Sequence, residues 1–375
     1  MELKIHRNQL VQAAARIQGA ISDRTFSQAG IRAEGDAVVI SLTDRVLAIY
    51  SRHECEVMHT GHAFVPAKLF TDVVRELGLG PVRLRLTQSV LEVIAGEREE
   101  FHMKIPTVEQ PWKELSPEPS LVRAELNSQK LQYMIDQVDF CVAHESTRNY
   151  ASVAFFHKPD KGHLRIVGSD GYRLSYADIE ADVPEGFLAT GICLSKRALV
   201  ELQRLAREGF DTVKLGLQED QTTLVAEVPD YQIYIRLSSV KYPKYQGVLP
   251  SVQFTPVDVP RSMLQTVAKR VMLAADRTRA LQLCFSNSSL TLSSKTVGSS
   301  EGKESILLTG YEGMEQELSV NGKFLTDVFA TIPSDQVTLK FRGKEDPIVL
   351  VPKEEPTGCA SMHVLVPIHE SEQTV

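Results

Sequence analysis

The stretch SDGYRL, Ser169 to Leu174, sets a hydroxyl, a carboxylate, a phenol and a guanidinium around one glycine. An enzyme built on Asp170 and Arg173 is the chemical reading of that cluster, and it needs a base or a nucleophile as partner. No motif supplies one, for the chain has no G-x-S-x-G elbow, H-E-x-x-H, Walker loop or G-x-G-x-x-G. Asp-Gly is also a favoured two-residue hairpin turn, so RIVGSDGYRLSYADI reads as strand, turn, strand. A turn without catalytic residues is expected. His59 and His62 in HTGH could pair on a metal, but no third ligand stands nearby. Cys55, Cys141, Cys193, Cys284 and Cys359 lie far apart with no C-x-x-C, and read as buried free thiols. Neither a metal nor a cofactor is expected.

The elements that must position this turn recur along the chain. Helical segments PAKLFTDVVREL, SKRALVELQRLA and NGKFLTDVFATI each carry an acid at the same point, namely Asp72, Glu201 and Asp327. Each is followed by an alternating strand led by Val82, Val213 or Val337. A second amphipathic helix precedes each of them: Leu10 with Ile17, Leu131 with Val138 and Leu264 with Val271 mark its apolar stripe. Asn8, Asn127 or Ser128, and Ser262 are the expected N-caps. Proline-rich stretches, PTVEQPWKELSPEP and YPKYQGVLPSVQFTPVDVP, separate the copies. The fold class is therefore α+β, three repeated domains over 1–118, 119–250 and 251–375. The apolar HVLVPIHE near the C-terminus, interrupted by Pro367, reads as a strand at an edge or an end. Exposed apolar edges of that kind receive peptides.

Charge divides the repeats internally. The chain carries −7 overall, yet its six helical segments carry +6, which leaves −13 for everything else. Helices sharing one layer would then face a polyanion, gripping phosphates without reading sequence, inside an acidic shell of strands. Six helices at about 10 Å spacing enclose an opening of only about 9 Å, too narrow for duplex DNA, whereas twelve leave about 28 Å. Two chains joined head to tail are the smallest closure that fits. No apolar run is long enough to span a membrane, and MELKIHRNQLVQ lacks a secretory h-region, so a soluble cytoplasmic protein is expected.

Triplicated helix-strand units, SDGYRL, YPKYQGVLP and the terminal VLVPIH together resemble the bacterial sliding clamp family, the beta subunits of DNA polymerase III, over essentially the full chain. The resemblance implies a homodimeric six-domain ring, with helices lining the inner face and strands forming the outer sheets. It implies a processivity factor, not an enzyme, that encircles double-stranded DNA and tethers the replicative polymerase subunit. It also implies a clamp loader and other partners that dock clamp-motif peptides bearing glutamine and leucine or phenylalanine. The implied pocket comprises Ala151, Ser169, Gly171, Tyr172, Arg173, Leu174, Pro243, Gly247, Val248, Asn321, Phe324, Pro347, Val364, Leu365, Val366, Pro367 and Ile368. Tyr172 and Arg173 would give it stem packing and a polar rim. Implied DNA contacts are Arg24, Arg148, Asn149, Tyr150 and Arg197, to which charge adds Arg204 and Arg207. Phe101 and Met103 would meet Met272 and Leu273 across the dimer seam. Gly247 and Ala151 replace the family's usual arginine and leucine, which implies a roomier, less basic pocket. A specialised second clamp, for repair or with altered pocket specificity, is the alternative.

Overall fold

The computed structural model describes all residues except 22–26, 45, 109–121, 220, 250–253, 309–310, 312, 314 and 369–375. Arg24 and the expected boundaries near 118 and 250 lie outside the described residues. The first repeat comprises β1 Glu2–His6, α1 Arg7–Ile17, β2 Gln28–Glu34, β3 Ala37–Thr43, β4 Leu47–Glu54, β5 Glu56–His59, β6 Gly61–Pro66, α2 Ala67–Glu76, β7 Pro81–Thr87, β8 Val90–Ala95 and β9 Phe101–Pro106. The second comprises β10 Val122–Asn127, α3 Ser128–Asp136, β11 Val153–His157, β12 His163–Ser169, β13 Arg173–Glu180, β14 Ile192–Ser195, α4 Lys196–Ala206, β15 Thr212–Leu217, β16 Thr223–Val228 and β17 Tyr231–Arg236. The third comprises β18 Thr255–Pro260, α5 Arg261–Val271, β19 Ala280–Ser286, β20 Ser289–Thr296, β21 Ser300–Leu307, β22 Gln316–Asn321, α6 Gly322–Thr331, β23 Gln336–Phe341, β24 Ile348–Pro352 and β25 Cys359–Leu365. Apart from β5, the three orders are identical. Asp72, Glu201 and Asp327 are each the sixth residue of their helix.

Local physics explains the helices. In α2 the buried residues Ala67, Phe70, Thr71 and Val74 fall on one stripe of the 3.6-residue period. The helices α1 and α5 end on the last residues of their apolar stripes, Ile17 and Val271, whereas α3 ends at Asp136, before Val138; a short 3-10 turn follows each: Gln18–Ala20, Asp139–Cys141 and Met272–Ala274. The expected caps need correction. His6 caps α1, its Nδ1 accepting from the Asn8 N–H, and Pro260 precedes α5 without a side-chain cap. The reason is a strand running straight into each helix. The ladders β1–β7, β10–β15 and β18–β23 continue one step further, so the first helical N–H groups of Arg7, Ser128 and Arg261 donate to the carbonyls of Gly80, Asp211 and Asp335. A neighbouring strand thereby satisfies an orphan donor that a side chain would otherwise take.

The chain forms two compact units. The first holds 1–129, 183–187 and 200–238, and the second holds 130–182, 188–199 and 239–375. Within the first lie a five-stranded sheet, β5-β1-β7-β8-β9, and an eight-stranded sheet, β10-β15-β16-β17-β4-β3-β2-β6. Within the second lie an eight-stranded sheet, β14-β11-β12-β13-β25-β24-β23-β18, and a four-stranded sheet, β21-β20-β19-β22. The second repeat is thus shared between the units. Antiparallel ladders cross the seams between repeats, β4 with β17 and β13 with β25, and they run as regularly as ladders inside a repeat. Among the cysteines, Cys141 and Cys193 are buried, whereas Cys55, Cys284 and Cys359 are only partly so, because the latter lie on strands with one solvated face or at strand ends.

In the first unit Arg16 of α1 is buried and binds Glu208 through two bonds, Nη2 to Oε2 at 2.7 Å and Nε to Oε1 at 3.1 Å. Its Nη1 also donates to Ser51 Oγ at 3.0 Å, and its guanidinium lies 4.6 Å from the Tyr231 ring centre. His53 shares Ser51 Oγ at 2.8 Å. Burial, reinforced by the Arg16 charge, pushes the His53 imidazole down to about 4. The unfolded chain takes up this proton near 6.5 and the folded one only near 4. Stability is therefore expected to fall as pH drops through that window, by at most about 1.4 kcal/mol per pH unit from this group. Denaturant titrations of the wild type and His53→Gln at several pH values check it, the variant showing the shallower slope.

Candidate functional site

The SDGYRL segment is not the two-residue hairpin that Asp-Gly suggests. Ser169 pairs with Leu174, and β13 begins at Arg173, so Asp170, Gly171 and Tyr172 form a three-residue connection between β12 and β13. Asp170 Oδ1 accepts the N–H groups of Tyr172 and Arg173, each at 3.0 Å, and Ser169 Oγ donates to the Arg173 carbonyl at 2.8 Å. Gly171 sits at φ +90, an angle that L side chains rarely adopt, so the backbone calls for glycine, and a Cβ there would also displace the end of the Arg148 side chain, 2.1 Å away. Side-chain bonding by Asp and Ser supplies the turn, as these short polar residues commonly do.

Arg173 does not reach a polar rim. Its side chain is only 9% exposed and its fork points inward. Nε donates to Asp170 Oδ2 at 2.8 Å, Nη1 to Asp327 Oδ2 at 2.9 Å and Nη2 to the Phe140 carbonyl at 2.8 Å. The rings of Phe324 and Phe140 flank it at 4.3 Å and 5.0 Å. The physical reason is the neighbourhood: two carboxylates and a carbonyl converge on a planar five-donor group, which satisfies it better there than water would. Tyr172 alone of the pair stands at the surface, 57% exposed.

Beside this turn an apolar floor forms where β13 and β25 pair, Leu174 opposite Val364. Val167, Leu174, Tyr245, Val349 and Val364 are buried together, with Phe155, Tyr176, Tyr242 and Met362 packed against them. Phe155 stacks on Tyr242 at 5.3 Å and on His157 at 4.6 Å, forming an aromatic ladder. The strand β25 ends at Leu365; beyond it the Val366 N–H donates to the Tyr172 carbonyl at 2.9 Å and the Ile368 N–H to the Ser319 carbonyl at 2.8 Å. Exposed apolar side chains, Tyr172, Val248 and Val366, accompany the floor. Pro347 leads into β24, and Asn321 caps α6 by accepting from the N–H groups of Lys323 and Phe324. Ala151, in the 3-10 turn Asn149–Ser152, is 1% exposed. A Cβ on Gly247, in the 3-10 turn Tyr245–Val248, would meet nothing within 4 Å. Pro243 lies in the same connection, between the ladder residue Tyr242 and that turn.

Arg148 and Tyr150, which the resemblance implies as DNA contacts, pack beside Tyr172 and Tyr242. The Arg148 guanidinium lies 5.4 Å from the Tyr172 ring centre, and Tyr150 meets Tyr242 edge-on at 6.5 Å. Asn149 opens the 3-10 turn Asn149–Ser152, which includes Tyr150 and leads into β11. The helix α4 carries Arg197 as its second residue and Arg204, whose Nη1 donates to Glu201 Oε2 at 3.2 Å; Arg207 follows the helix end. Burial pushes the Cys141 thiol up to about 12 and the His363 imidazole down to about 3. These two share Ser175 Oγ, at 3.1 Å and 2.9 Å, as a neutral buried cluster. Among the described residues no group of three His, Cys, Asp or Glu side chains converges as a metal site.

Sequence reasoning missed the role of Asp327 as the partner of Arg173, and it missed Phe155, Tyr242 and Tyr245 as the floor. The recurrence of the acid at the same helical position was the available signal for the first. Nothing local announced the second, since those rings meet across 88 residues of chain, as in the His157 to Tyr245 contact at 3.0 Å.

Two of the outer strands carry exposed apolar side chains on them or beside them. In the five-stranded sheet β9 is an outer strand, with Phe101 38% exposed, and in the four-stranded sheet β21 is an outer strand. Beside β21 the turn Met272–Ala274 presents Leu273 at 87% exposure, while Met272 packs on the third repeat's core.

Three like domains joined by inter-repeat ladders, with a buried apolar cluster at one seam, define a triplicated clamp architecture. The family profiles agree in order: DNA polymerase III beta subunit N-terminal domain over residues 1–111, central domain over 125–244 and C-terminal domain over 246–367. The chain belongs to the DNA polymerase III beta subunit family, the sliding clamps. It is 24% identical over 380 residues to the beta sliding clamp of Caulobacter vibrioides, and 25% over 375 residues to that of Proteus mirabilis; each match covers 98% of this chain and all of the relative. The folds of the sliding clamps of Pseudomonas aeruginosa and Bartonella birtlesii, both solved bound to griselimycin, match with TM-scores of 0.89 and 0.90 at 22% and 24% identity. Each of those two matches covers 98% of this chain and 99% of the other.

Proposed function

We propose that two copies of this chain close head to tail into a six-domain ring around double-stranded DNA. The ring acts as a processivity factor without enzymatic activity or cofactor in the cytoplasm. Its three domains divide near residues 118 and 250. A clamp loader places it on DNA, and the replicative polymerase and other partners dock short peptides in the cleft beside Tyr172, Leu174, Val248, Val364 and Val366. Basic side chains on and just after the helices, among them Arg197, Arg204 and Arg207, together with Arg24, contact phosphates without reading sequence.

The observation that carries the ring is the pair of internal seams. At these, β4 meets β17 and β13 meets β25. In repeat order β21 is the third member of the first series and β9 of the second, and both are outer strands. Counted along the ladders, Phe101 and Met103 match Tyr231 and Ile233 at one seam and Ser361 and His363 at the other. Tyr231, Ile233 and His363 are 0% exposed and Ser361 is 4%. An outer strand with apolar side chains at such positions is a template for another chain, and pairing β9 with the β21 of a second copy repeats the rule already used twice.

Loading the protein on nicked circular DNA and then linearising the circle tests this. Topologically held protein slides off the ends, whereas protein that stays bound to linear DNA contradicts encirclement.

A further inference from the structure

We propose that Asp327 is a positioning residue for the docking cleft, fixing the angle of the 169–172 turn through Arg173. The inference rests on the docking reading above and adds a residue outside the cleft itself. Asp170 is the link. One of its oxygens holds the Tyr172 and Arg173 N–H groups, and the other holds Arg173 Nε at 2.8 Å. The turn can therefore rotate only with the guanidinium. The guanidinium in turn is bound at its far end to Asp327 Oδ2 at 2.9 Å and to the Phe140 carbonyl at 2.8 Å. A planar fork with three fixed acceptors has one orientation, unlike an ammonium, and charge-assisted bonds in a site this enclosed are strong.

The origin of Asp327 matters as much as its distance. It is on α6, one turn after Phe324, whose ring covers the guanidinium at 4.3 Å. Asn321 caps the same helix, and Ile368 hydrogen-bonds to Ser319 on the strand leading into it. The third repeat thus presents a helix start, a ring and a carboxylate to one turn of the second repeat. Tyr172 and the Val366 segment, bonded at 2.9 Å, form a rim whose shape follows from where that carboxylate stands. Lys323, at 2.8 Å from Asp327 Oδ1, holds the other oxygen from a largely exposed position and is not part of the relay.

Asp327→Asn keeps the shape and one acceptor but removes the charge, and Arg173 retains Asp170, so the fold survives. The test uses the full-length protein and a fluorescein-labelled peptide bearing glutamine, leucine and phenylalanine, with affinity read by anisotropy. Asp327→Asn is expected to raise Kd about tenfold, the loss of one charge-assisted bond, mainly through faster release. Asp327→Glu is expected to recover most of that affinity. Val328→Ala, a cavity at a fully buried neighbour on α6, lowers stability yet is expected to leave Kd within about twofold. If Asp327→Asn binds like the wild type, or if Val328→Ala weakens binding equally, the relay is wrong and only helix stability is involved. If the wild type binds no such peptide, the docking reading itself fails and this inference falls with it.

Discussion

Met103→Arg is expected to make the protein monomeric at micromolar concentration, with the dimer dissociation constant raised at least about a hundredfold. Met103 stands at the ladder position that Ile233 and His363 occupy at the internal seams, both 0% exposed. A guanidinium placed there would have to shed its water within the seam, and burying a charge that is not fully paired is costly. Sedimentation velocity reads the oligomer, and the linearisation assay reads its consequence: protein should no longer be retained even on the closed circle. The 170–172 turn proposed for docking lies in the other unit, so peptide affinity serves as the internal control. A variant that remains dimeric with normal peptide binding would show that β9 is not the closing edge.

Arg16→Ala is expected to lower the free energy of unfolding by about 3 to 5 kcal/mol, measured by denaturant titration, because it strands Glu208 in a nearly closed site. The Glu208 side chain is 14% exposed and accepts two bonds from Arg16. Alanine also removes the stem and guanidinium that cover the fully buried Tyr231. Arg16→Met combined with Glu208→Leu is expected to cost less than Arg16→Ala alone, since an apolar pair leaves no charge uncompensated. An additive outcome in that double-mutant cycle would mean that the two side chains act independently.

The two internal seams are built from different chemistry on one frame. At the first, Arg16 and Glu208 form the ion pair and Glu201, 2% exposed, sits against Gly19, where a Cβ would lie 1.9 Å from its Oε1. At the second, Arg173 takes the cationic part and Asp327 the acidic one. Glu201 and Asp327 hold the same helical position, so each seam receives an acid from the later repeat. Asp72, at that position in α2, has a side chain 56% exposed. Within the proposed ring it is the acid that the third seam receives.

Local patterns were legible in the sequence: six amphipathic helices, the three-fold recurrence with its equivalent acids, and the glycine-centred turn. These follow from interactions between residues a few positions apart, which a linear reading contains. The short strands β1, β10 and β18 escaped it, because five or six residues beside a helix carry little periodicity. The caps at Asn8 and Ser262 were wrong for a related reason: a carbonyl from a strand about 75 residues away, Gly80 for Arg7 and Asp335 for Arg261, already satisfies the first helical donor. Only the tertiary structure decided that ladders cross the repeat boundaries, that the second repeat is shared between two units, and that Arg173 turns inward to Asp327. Each of these depends on which distant strand or helix arrives as a neighbour, and a buried charge goes where its partners converge.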